Sequence, residues 1–128
     1  LYGLRYITEV WEEGDDETFH EEVGYWIYDR ENKQVMKSFA VPRGISVLAG
    51  GMAEEDATAF EMTADVGNEI YGICSNKFLD QEFKTVRYEL KINKIDENTF
   101  SYDEDSHLKI KSQPDIFHHT EINIMKRV

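Results

Sequence analysis

Histidine is scarce in this chain, and its four copies, His20, His107, His118 and His119, are the side chains best suited to chemistry. A neutral imidazole ligates iron or zinc, and a haem needs only one proximal histidine in an apolar pocket. No HExxH spacing is present, so a helical zinc-hydrolase site has no support, and a three-histidine zinc site has to gather its ligands from separate strands. His107 lies in the charged run "DEDSHLKIK" and reads as a solvent-facing or hydrogen-bonded residue. His118 and His119 open the last strand-like segment, "FHHTEINIMKRV". Successive strand side chains point to opposite faces, so one of the two faces whatever the protein encloses. Ile122 and Ile124 share parity with His118, which makes His118 the inward residue by simple alternation; a bulge after the preceding loop reverses that choice.

Other chemistry finds less support. No G-x-S-x-G occurs, and Ser46, Ser75 and Ser112 have no marked base nearby in sequence. The glycine pair in "LAGGM" is not followed by a helix, so it reads as a strand bend rather than a phosphate loop. Cys74 reads as a small buried side chain, and Asp103, Glu104 and Asp105 as a solvated or hydrogen-bonded strand end.

The elements that must position these residues are almost all strands. "LYGLRYITEVW" is rich in aromatic and β-branched residues and reads as a first strand. "ETFHEEVGYWIYD" ends at "DRENK", and "QVMKSFAV" is stopped by "PRG". "ISVLAGGM", "TAFEMTADV" and "IYGICS" follow, then the long pair "EFKTVRYELKINKI" and "TFSYDEDSHLKIK" joined by "DEN", and last "HTEINIMKRV". Only "SNKFLDQEF" suits a short helical turn. About nine strands with frequent turns predict an all-β, antiparallel sandwich or up-and-down barrel. In the second strand His20, Glu22, Gly24, Trp26 and Tyr28 share one face, a mixture that suits a barrel wall lining a cavity.

The 128 residues fit a single domain, 1–128, with one core. A formal charge of −12 repels phosphate backbones and anionic bilayers, arguing against nucleic-acid and membrane partners. The lone cysteine excludes an internal disulfide framework and fits a reducing cytoplasm.

The segments "FHEEVGYW", "VPRG", "TAFEMTA", "GICSNKFL", "FKTVRYELKI", "SYDEDSHLKIK" and "FHHTEINIMKRV" occur in an order that resembles bacterial fatty-acid-binding-protein-like proteins grouped with the nitrobindins. The resemblance covers nearly the whole chain. It implies an antiparallel, lipocalin-like barrel holding a b-type haem near its mouth, with nitrogen-oxide or diatomic ligand chemistry and a link to peroxynitrite isomerisation. It places the proximal iron ligand on His119, with His118 as the alternative. It puts His20 in the pocket through the motif His20, Glu22, Gly24, Tyr25, with Phe19 and Trp26 beside it. The family's glycine- and tryptophan-containing N-terminal strand has no counterpart here, so the barrel is expected to lack its N-terminal strand or strands. A homodimer is compatible with the resemblance.

Two rival readings stand beside it. One is a carrier of a fatty acid or other small apolar ligand without haem, in which Arg43, Arg87 or Tyr88 meets a carboxylate. The other is a barrel filled by Trp11, Trp26 and phenylalanines, which binds protein through its outer face.

Overall fold

Alternation and turn chemistry together explain the strand pattern. The computed structural model describes residues 1–128 and contains nine strands and one short helix: β1 (Tyr2–Trp11), β2 (Thr18–Asp29), β3 (Gln34–Val41), β4 (Ile45–Met52), β5 (Ala59–Val66), β6 (Gly72–Ser75), α1 (Lys77–Glu82), β7 (Phe83–Asp96), β8 (Thr99–Ile110) and β9 (Phe117–Lys126). They form one sheet in the order β1-β2-β3-β4-β6-β5-β7-β8-β9, curled into a half-barrel whose edges are β1 and β9. The all-β barrel class read from the sequence is the class observed.

Neighbouring strands run antiparallel, with one local departure. β6 is inserted between β4 and β5; it pairs antiparallel with β4 at Ile45–Val47 and parallel with β5 through Asp65↔Gly72 and Val66↔Ile73. The chain doubles back through Gly67 (φ 85°) and Tyr71 (φ 58°), both in the left-handed region. The Tyr71 ring then lies against Gly50, where an added Cβ would meet it at 2.2 Å. At that same glycine β4 pairs with Thr63 of β5. The "LAGGM" pair thus marks where β4 passes from one partner strand to the other, and close packing explains the missing side chains.

The core lies on the concave side of the middle strands. Val35, Phe39, Val47, Ala49, Met62, Ala64, Ile73, Tyr88 and Leu90 form one buried cluster. α1 is started by Asn76, whose side chain accepts from the Leu79 N–H at 2.9 Å and donates to the Arg43 carbonyl at 2.6 Å. The helix buries only Leu79. By contrast, every residue of β9 is exposed. Cys74 is exposed rather than buried, because it alternates with Ile73, which takes the core position.

Candidate functional site

Register across the sheet decides which side chains share the concave face. Tyr88 lies opposite Ser106, and Ser106 opposite His119; Leu90 lies opposite Glu104, and Glu104 opposite Glu121. Directly opposed antiparallel residues project to the same side, so His119, Glu121 and Met125 of β9 face the concave interior with Tyr88 and Leu90. His118, Thr120, Ile122 and Ile124 face the convex side. The structure therefore differs from the alternation reading that turned His118 inward. Ile122 and Ile124 are both largely exposed on the convex face, so their apolar character did not mark an inward side.

A cavity of about 240 Å³ opens on the concave side. Tyr6, Val10, His20, Trp26, Leu90, Ile92, Phe100, Tyr102 and Met125 contribute to its walls, with Glu22, Lys37, Glu104 and Glu121 among its polar lining. His20 and Trp26 lie there because even-numbered residues of β2 point inward. Phe19, of opposite parity, is exposed on the other face. Gly24 completes this inward series, and a Cβ there would meet the Ser38 carbonyl oxygen of β3 at 2.0 Å. Its place in the His20, Glu22, Gly24, Tyr25 motif therefore has a steric cause.

The polar side of the cavity is a closed network centred on Lys37, which is only 5% exposed. Its Nζ lies 3.0 Å from Glu22 Oε2 and 3.9 Å from Glu104 Oε2, and donates to the Tyr88 hydroxyl at 3.2 Å. Tyr88 donates to Glu104 Oε2 at 2.6 Å, and Tyr6 donates to Glu22. Aromatic rings surround the ammonium, the nearest being Phe39 with its centroid 4.6 Å away. Burial first, then the neighbouring carboxylate, pushes the Tyr6 and Tyr88 phenols well above their ordinary range. Burial also raises Glu104, against the pull of Lys37. Two carboxylates share one lysine and two phenol donors, so the network satisfies itself and presents no spare cation to a ligand.

Sequence reasoning overlooked this network. One signal was available: Lys37 shares parity with Val35, Phe39 and Val41, a lysine on an otherwise apolar face. Glu104 lies in the middle of β8 and points inward, while Asp103 and Asp105 point outward, so the acidic triplet is not a strand end.

The remaining candidates lie elsewhere. Arg87 donates to Glu89 and to both oxygens of Asp65, which hold its guanidinium charged. Arg43 is in the turn between β3 and β4, and Trp11 is exposed at the end of β1. His118 Nδ1 lies 3.0 Å from Asp105 Oδ2 on the convex face. The side-chain hydrogen bonds of β9 involve His118, Glu121 and Asn123, leaving the His119 imidazole uncommitted.

A curled antiparallel sheet with imidazoles and aromatic rings on its concave face belongs to the class of β-barrels with a lined interior. A family model described as the THAP4-like, heme-binding beta-barrel domain matches residues 2–127, and the chain belongs to that family. No curated protein and no solved structure gives a match. No helix is long and apolar enough to cross a membrane.

Proposed function

We propose that the concave face holds a b-type haem through His119, with His20 and Trp26 on the pocket side and a coordination position left for a nitrogen oxide or diatomic ligand. The observation that supports this reading is the His119 imidazole itself, which by register is on the concave side of the sheet without a side-chain hydrogen bond, exposed and outside the lining of the cavity that His20 and Trp26 help to form. A neutral imidazole fits iron, and the aromatic walls fit a flat apolar ring system. The enclosed volume is below the roughly 300–1,000 Å³ of pockets that surround a drug-sized ligand, so the open trough beyond it takes part in binding. Held by the His119 imidazole, a haem would supply an iron able to take up a small ligand.

The carrier reading is less well supported. Arg87 is committed to Asp65 and Glu89 and Tyr88 is bonded to Glu104, while Arg43 is exposed in a turn outside the cavity lining, so none of the three presents a free group inside the cavity to a carboxylate head group.

Haemin titration followed by visible absorption tests the proposal. The parent gives a saturable Soret shift, His119→Ala removes it, and His20→Ala perturbs the band while retaining binding. Loss on His118→Ala with retention in His119→Ala overturns the ligand assignment. No shift in the parent sinks the haem reading for this chain.

A further inference from the structure

Imidazoles gather not in the cavity but on the opposite face. Asp105 and His107 stand two residues apart on β8 and share the convex side, where His118 lies directly across from His107 on β9. Asp105 Oδ2 is 3.3 Å from His107 Nε2 and 3.0 Å from His118 Nδ1. Potential ligand atoms of all three residues lie within 4.8 Å of one another.

Chemistry, spacing and an orphaned atom agree on what this cluster suits. Two imidazoles and a carboxylate match borderline first-row cations, whereas calcium and magnesium favour oxygen donors. Ligands placed tetrahedrally at zinc bond lengths stand about 3.3 Å from one another, close to both separations from Asp105. His107 Nε2 is buried yet makes no hydrogen bond, even to the nearby carboxylate. Such an atom calls for a partner, and a cation in the cluster supplies one. Glu89 Oε1 lies 3.7 Å from the same nitrogen and is held by Arg87 Nε at 2.7 Å, which places another carboxylate at the cluster's margin.

We infer that Asp105, His107 and His118 form a binding site for a zinc-type divalent cation on the convex face, separate from the concave site. Three protein ligands leave a further position for water or Glu89, the open arrangement of a zinc centre that is not purely structural.

The test uses the full chain, without a histidine tag and freed of metal and haem. Zn²⁺ is titrated in competition with a chromophoric chelator, and Co²⁺ serves as a ligand-field probe. The parent binds a single equivalent, and Co²⁺ gives the intense visible bands of a four-coordinate ion. His107→Ala and His118→Ala each weaken Zn²⁺ binding by more than about tenfold, since even residues outside the ligand set commonly cost 10–100-fold. His119→Ala and His20→Ala leave it unchanged. Lack of stoichiometric binding by the parent overturns the inference, as does undiminished binding by His118→Ala or loss on His119→Ala. The His118 side chain is 52% exposed on an edge strand, so His118→Ala decides the matter even if His107→Ala fails to fold. Circular dichroism checks the fold of each variant.

Discussion

At the scale of single residues, Lys37 is a charge held where charge is costly. Its removal leaves Glu22 and Glu104 facing each other without their shared cation, and breaking a buried pair in this way costs about 3–5 kcal/mol. Lys37→Met is therefore expected to lower stability at neutral pH by that amount, read from urea denaturation. The loss shrinks in acid as Glu104, whose carboxyl pKa is raised by burial, takes up a proton. Glu104 behaves oppositely. Its folded pKa is raised above the ordinary 4.5, so the folded chain binds more protons than the unfolded chain between the two values. Stability from this group is complete below the unfolded value and falls as pH rises through the folded one. Glu104→Gln removes that decline, and a plot of Tm against pH for the variant minus the parent rises from acid toward neutral. A difference that stays flat refutes the assigned role of Glu104.

At the scale of elements, the seam between β2 and β3 has no space for a side chain at Gly24. Gly24→Ala forces the Ser38 backbone to move and is expected to cost about 1–3 kcal/mol, as overpacking does; a denaturant midpoint equal to the parent's rules out the close approach. The strands themselves were legible in the sequence because turn residues punctuate it: "PRG" and "SQPD" fall between observed elements, and "DRENK" and "DEN" each begin on the last residue of a strand, β2 and β7. The direction of the adjacent histidines was not legible by alternation, which identifies an inward face only where one face is buried. β9 is exposed on both, so Ile122 and Ile124 misled, and the family pattern pointed to His119 instead. The Lys37 network and the convex cluster escaped notice for another reason. The Lys37 network draws on strands far apart in sequence, the convex cluster depends on the register of β9 against β8, and a lone lysine or a histidine among acids ordinarily reads as surface.

At the scale of the whole molecule, burial is concentrated in the middle of the sheet and falls away toward its edges. Concave residues of β3, β4, β5 and β7 supply most of the core, while β1 and β9 each pair with one strand only. Hydrogen exchange should accordingly show the slowest amides in β3, β5 and β7 and the fastest strand amides in β1 and β9, because local opening is easiest where few apolar contacts must break. Uniform protection across the nine strands contradicts this gradient. Haem held by His119 is expected to slow exchange in β9 selectively, while Zn²⁺ held by His107 and His118 ties β9 to β8 and slows both.

The neighbouring histidines carry one further consequence, for error tolerance. A strand at the edge of a sheet is the element most exposed to mispairing, and a slip by one position exchanges its two sides. For β9 such a slip brings His118 inward and sends His119 outward, so each side of the sheet keeps an imidazole. The neighbours are not interchangeable: Glu121, Asn123 and Met125 give way to Ile122 and Ile124. A mispaired β9 thus preserves the donor atom while making its surroundings more apolar, whereas a strand with a single histidine loses its ligand outright.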